Sequence, residues 1–268
     1  MALIAVTSAK GSPGATVTSL ALTLAWPRAA LLAECDPSGG SVLTGYLAGQ
    51  TPADRGIAGL AVADYHGRLV DDFAQQLVYL DDAEPQRLLL PGVTDPAQAA
   101  GLSTTWERLG DYLRQLDRSD PPVDVIADCG RVPALHAPLP LIRHADVALL
   151  VVGRTLGAVD AAASRIAVLR REVEQRGGVV RLIIRGRGDY EAREIAKRLE
   201  TPVLTELPED VKTAGMLSNG TGMPRSSATL LRAARSAAEP LQTLVNQRRA
   251  VTSAAQVSAP TVREPARA

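Results

Sequence analysis

Lysine is nearly missing from this chain: Lys10, Lys197 and Lys212 are the only lysines among 29 basic residues, the rest being arginine. A lysine at a fixed position of a motif is therefore no accident of composition. Nor does either sign of charge dominate, with 29 acidic residues against 29 basic ones. This balance excludes a uniformly basic nucleic-acid binder and leaves room only for a local patch. No apolar run approaches 18 residues, which excludes a membrane-spanning helix. The first residues run straight into an apolar strand without a signal-peptide pattern, so a cytoplasmic location is expected. Two cysteines, Cys35 and Cys129, give no disulfide framework. They are also a poor metal-ligand set, and read best as small buried residues at strand ends. The three histidines, His66, His136 and His144, have no evident partner and read as surface or core residues.

What is present is a globular pattern: 268 residues, 46% of them hydrophobic, enough for one large α/β domain with a sizeable core. Apolar runs bounded by turn signals recur near 2–7, 30–35, 86–91, 123–128, 147–152, 179–185 and 202–205. Between them lie helical spacings such as Val17, Leu20, Ala21 and Leu24, then Leu109, Leu113 and Leu116, then Ile166, Leu169 and Val173. Continuous apolar strands separated by helices predict an α/β, doubly wound, mainly parallel sheet of about seven strands with helices on both faces. Residues 41 to 85 read as short helices. A closing helix over 227–239 is expected to stop before Pro240, with a further short helix to about Arg249. The domain is thus placed at 1–249, and residues 250–268, rich in Ala, Ser, Pro, Thr and Arg, are expected to form a disordered tail.

The chemistry concentrates at strand ends. Residues 9 to 16, Ala-Lys-Gly-Ser-Pro-Gly-Ala-Thr, lie between the first apolar run and a helix expected from about Thr16. That is where backbone N–H groups cradle phosphate. Gly14 and Thr16 keep the register of a phosphate-binding loop, but Ala9 stands for its first glycine and Ala15 for its lysine. A second apolar run leads into Glu34-Cys35-Asp36-Pro37-Ser38-Gly39-Gly40, and a third into Asp128 within Val-Asp-Val-Ile-Ala-Asp-Cys-Gly.

In this order the segments resemble the ParA/MinD family of deviant Walker A P-loop ATPases. Lys10-Gly11-Ser12-Pro13-Gly14-Ala15-Thr16 matches the family's Lys-Gly-Gly-x-Gly-Lys-Thr loop, with Ser12 and Ala15 departing from it. Glu34 to Gly40 is similar to the Asp-x-Asp-Pro-x-Gly segment. Val123 to Gly130 resembles the Walker B strand, Ala145 to Val152 the strand after it, and Thr201 to Asp210 a later Pro-containing stretch. The likeness covers roughly residues 2 to 235. It implies ATP or ADP with Mg2+ as cofactor, held by Lys10, Gly11, Ser12, Pro13, Gly14, Ala15, Thr16 and Val17. Magnesium falls to Thr16, Asp36 and Asp128, and catalysis, if active, to Lys10 and Asp36. In the family the early lysine crosses a nucleotide-sandwich homodimer to the partner's phosphates, and Asp36 matches the residue that positions the attacking water.

Ala15 removes a charge where the transition state gathers negative charge, so hydrolysis is expected to suffer more than binding. The resemblance then points to a degenerate, pseudo-ATPase member like the CpaE/TadZ group. Such a protein is a positioning scaffold for pilus or secretion machinery, acting through protein partners, with weak nucleotide binding and slow or no turnover. The alternative is an active ParA-type ATPase that partitions DNA or another cargo. DNA is not favoured, because Glu172, Glu174, Asp189 and Glu191 interrupt the basic stretch Arg165, Arg170, Arg171, Arg176, Arg181, Arg185 and Arg187. A small-molecule ligase on the same fold finds no acid–base constellation to support it. The tail has no aromatic residue and no leucine after Leu244, so no membrane-targeting helix is expected. Relatives often place an adenine-reading asparagine after the strand at 179–184, where this chain has Arg185, and adenine specificity is open.

Overall fold

A computed structural model describes residues 2–10, 14–50, 54–81 and 86–257. The apolar runs become strands: β1 (Leu3–Ser8), β2 (Ala30–Glu34), β4 (Arg87–Leu90), β5 (Asp124–Arg131), β6 (Val147–Gly153), β7 (Val179–Arg185) and β8 (Val203–Leu207). An eighth, β3 (Val78–Tyr79), is too short to show periodicity and adds an edge antiparallel to β4. The strand order is β3-β4-β2-β5-β1-β6-β7-β8, with all other pairs parallel. Leu3 to Ser8 and Ala30 to Glu34 are buried throughout, as strands covered on both faces require.

Alternate strand residues feed two cores. Leu3, Ala5, Leu31 and Ala33 pack beneath α2 (Ile57–Tyr65), α4 (Thr105–Gln115), α6 (Leu156–Glu174) and α7 (Ala192–Leu199). Ile4, Val6, Ala30 and Leu32 face α1 (Ala15–Ala25), α8 (Val211–Asn219) and α9 (Thr229–Val257). Two four-residue helices, α3 (Leu69–Asp72) and α5 (Leu139–Ile142), complete the set. The region 41–85 does contain short helices.

The end of the chain departs from expectation. One helix, α9, runs through Pro240 to Val257. Proline removes an N–H and costs about 3 kcal/mol in a helix interior. Leu230, Leu231, Ala234, Ala237, Ala238, Leu241 and Val245 are nonetheless all buried, a 3–4 spacing unbroken across Pro240. At about 25 cal/mol per Å2, fully burying Leu241 and Val245 stabilises by a comparable amount. The helix continues past residue 249, and residues 258–268 lie outside the described part.

Candidate functional site

The parallel strands end together at one edge, and α1 starts there. Gly14 caps the helix with φ +81°, and no side chain caps it. Its carbonyl accepts the Thr18 N–H at 2.9 Å. The first-turn N–H groups of α1 have no partner within the helix, and they carry its positive dipole end. The neighbouring loop residues Gly11, Ser12 and Pro13 lie outside the described residues, so the expectations placed on them have no structural counterpart. Ala15 is buried, while Thr16 and Val17 are half-buried.

Beneath this helix start lie three carboxylates. Glu34 and Asp128 are register partners on β2 and β5. Asp128 is 2% exposed and takes a hydrogen bond from the Thr16 side chain and one from Gly130 N–H at 3.2 Å. Burial pushes its carboxyl up to about 7; the two hydrogen bonds oppose this and the negative Asp36 and Glu34 add to it. Asp36 is half-buried, accepts Ser38 N–H at 2.8 Å, and packs against the Cα of Gly130. A Cβ at residue 130, whose φ is +59°, would collide with that carboxylate, so β5 carries a glycine there.

Glu34, the first carboxylate of the Glu34 to Gly40 segment, is engaged by backbone N–H groups. Its Oε1 accepts the N–H groups of Ser41 (2.7 Å) and Val42 (3.0 Å), and Oε2 that of Gly92 (3.2 Å). Burial raises its carboxyl and these bonds oppose the rise. The side chain therefore staples the loop after β2 to the turn after β4, with three of its roughly four acceptor positions taken by backbone N–H groups. The paired small residues Gly39-Gly40 and Pro91-Gly92 were the available sequence signal.

The structure brings Thr16, Asp36 and Asp128 together, but Lys10 stands apart. Lys10 is exposed, and its ammonium approaches the first turn of α6, 4.0 Å from where a Cβ on Gly157 would sit. Arg185, the last of β7, stands where relatives often place an adenine-reading asparagine, but the structure carries its guanidinium to the start of α1. Its Nη1 donates to the Gly14 carbonyl at 3.1 Å and lies 3.5 Å from the Thr18 hydroxyl. Nothing local announces a contact across 171 positions.

Outside the site, Cys35 and Cys129 are fully buried, and burial drives both thiols well up. His144 does have a partner, contrary to the sequence reading: its Nε2 meets Glu107 Oε1 at 2.9 Å. His66 and His136 are exposed. The basic stretch scatters, with Arg176 on Glu107, Arg187 on Glu209 and Arg170 on the Thr201 hydroxyl.

Hydroxyl and carboxylate oxygens are the donors magnesium prefers, and the clustered negative charge at Asp128 and Asp36 fits a cation. Among the described residues no group of three or more Asp, Glu, His or Cys forms a metal cage. Such an ion would therefore take its remaining ligands from phosphate and water, as magnesium commonly does.

No family model matches the sequence, and no curated protein matches it. Solved structures do match in shape. MinD cell division protein from Aquifex aeolicus superposes with TM-score 0.68 at 17% identity, over 91% of this chain and 98% of its own. The septum site-determining protein MinD with Mg-ADP from Pyrococcus horikoshii gives 0.68 at 18%, over 91% and 97%. A complex of a Cyanothece McdA variant with ATP gives 0.67 at 16%, over 90% and 96%. No helix of the described residues is long and apolar enough to cross a membrane. The chain therefore has the eight-stranded, mostly parallel α/β fold of the MinD and ParA-type P-loop ATPases.

Proposed function

We propose that the chain is a ParA/MinD-type protein that binds ATP or ADP with magnesium weakly, turns ATP over slowly or not at all, and acts as a positioning scaffold. The observation that carries the nucleotide reading is the Thr16–Asp128 pair beneath the uncapped start of α1, with Asp36 beside it. Thr16 would hold magnesium directly, Asp128 would orient the hydroxyl and the ion's water, and Asp36 would hold the attacking water. The bound ion would supply charge to the phosphates. Ala15 lacks the charge that an intact loop sets against them.

Dimerisation through the same edge is supported by exposed apolar side chains that follow strand ends: Leu135 after β5, Leu156 after β6 and Val211 after β8, each at least 67% exposed. Lys10, exposed on that edge, would face a second copy. The scaffold role rests on analogy with similar structures, which include a MinC:MinD cell division complex and a putative plasmid partition protein bound to AMPPNP. Among members of this family, the altered loop favours the CpaE/TadZ-like reading over an active partitioning ATPase.

Calorimetry with Mg-ATP and Mg-ADP tests the site. Weak binding is expected for the parent. Ala15→Lys should tighten it about ten- to a hundredfold, the worth of one charge-assisted contact. No binding by either protein would end the nucleotide reading. Sedimentation with Mg-ATP should show a dimer, and a tagged copy in the native cell should form discrete foci; a uniform distribution would oppose the scaffold role.

A further inference from the structure

A cation from elsewhere in the sheet reaches the start of α1. Arg185 reaches from the end of β7 to the first turn of α1, with Nη1 on the Gly14 carbonyl at 3.1 Å and near the Thr18 hydroxyl at 3.5 Å. A Cβ at residue 14 would collide with that guanidinium, so Gly14 is what lets it approach. Burial lowers the guanidinium pKa, the negative Glu209 opposing, yet arginine keeps its charge in proteins. A cation here lies against the positive end of a helix, the reverse of the favourable arrangement. An anion at the same place would relieve that repulsion. Lys10, beside the start of α6, puts a second cation on the same edge.

We propose that Arg185 is the site's in-chain phosphate cation: it contacts the phosphate oxygens of the bound nucleotide and replaces the charge that Ala15 does not supply. The inference rests on the nucleotide reading above. The planar guanidinium suits this task, since it can offer two parallel donors to phosphate. Its distance in sequence from the loop explains why the site looks incomplete when the loop is read alone.

The test compares the parent with Arg185→Ala, Arg185→Lys, Ala15→Lys and the Ala15→Lys/Arg185→Ala double variant by calorimetry. Each is titrated with Mg-ATP and with magnesium tripolyphosphate, which has no base. Arg185→Ala should weaken both ligands about ten- to a hundredfold. Arg185→Lys should recover part of the loss, and the double variant should return to about the parent's affinity. Equal or tighter binding by Arg185→Ala overturns the inference, the latter making Arg185 a plug. A loss confined to Mg-ATP also overturns it, by making Arg185 a base contact, as does a double variant that fails to recover. Absence of binding by both the parent and Ala15→Lys would instead remove the nucleotide reading itself, and this inference with it. Should circular dichroism show Arg185→Ala unfolded, the neutral, polar Arg185→Gln serves the same comparison.

Discussion

The two ends of the sheet treat buried carboxylates in opposite ways. At the amino end, Asp124 accepts the Ala2 N–H at 2.6 Å and the Trp26 indole N–H at 2.7 Å, and pairs with Arg28 at 2.7 Å. Asp146, just before β6, accepts the Leu3 N–H at 3.0 Å and pairs with Arg249 at 2.8 Å. At the carboxyl end, Glu34, Asp36 and Asp128 cluster, and no basic side chain among the described residues forms an ion pair with them. The same β5 strand opens on a neutralised aspartate and, four residues on, carries an uncompensated one. Burial is equal at the two positions, so the difference lies in charge. One end is neutralised by the protein's own arginines, and the other keeps its negative charge without a basic partner among the described residues.

Breaking the amino end should have the largest effect. Asp124→Ala strands the Ala2 and Trp26 N–H groups and the Arg28 guanidinium, two of the three in the interior. Leaving two buried N–H groups without their acceptor costs about 2–6 kcal/mol, and the half-exposed Arg28 adds little. Urea denaturation should register it, and a loss below about 1 kcal/mol would mean that this end is not held by charge.

At the carboxyl end the sign reverses. Asp128 titrates near 7 when folded, against 3.8 for the free carboxyl, so the folded state keeps a proton that the unfolded chain gives up. Its contribution to stability is whole below about pH 4 and is lost as pH rises through 7, amounting to at most about 4 kcal/mol by pH 8. Asp128→Asn fixes the neutral form. The variant should outlast its parent in thermal melts at pH 8, with the gain fading toward pH 4. Magnesium added at pH 8 should stabilise the parent and leave the variant unmoved. Parallel pH profiles for the two would erase the contrast between the ends.

Reading from sequence reached the two ends unequally as well. The strands were legible because both faces of the sheet are covered, so Leu3 to Val6 or Val147 to Val152 stand out as continuous apolar runs. Val78–Tyr79 was not, because two residues make no period. The passage of α9 through Pro240 was hidden because local propensity opposes it and only packing against α1 and the sheet supports it. At the site, Asp36 and Asp128 were visible as carboxylates closing apolar runs. Glu34 was visible too, but its oxygens are claimed by the N–H groups of Ser41, Val42 and Gly92, a use that depends on how two loops meet. Arg185 was visible only as the residue standing where relatives place an asparagine: a guanidinium that reaches residue 14 from residue 185 leaves no local signature of that contact.

The smallest effect on folding should come from Asp36→Asn, and that smallness sharpens the comparison. Asp36 is only half-buried, and its Oδ1 accepts a single N–H, that of Ser38, at 2.8 Å. An asparagine carbonyl can take that bond in the same turn. The replacement also removes one of three crowded negative charges, which offsets any weakening of the turn. A change within about 0.5 kcal/mol is expected, in the range of ordinary surface substitutions. The same substitution takes away a carboxylate that the proposed mechanism sets beside the attacking water, so whatever ATP turnover the parent shows should fall while Mg-ATP affinity holds within about threefold, or roughly 0.7 kcal/mol. A large loss of stability would instead show that Asp36 belongs with Glu34, as a clasp on the loops and not as part of the chemistry.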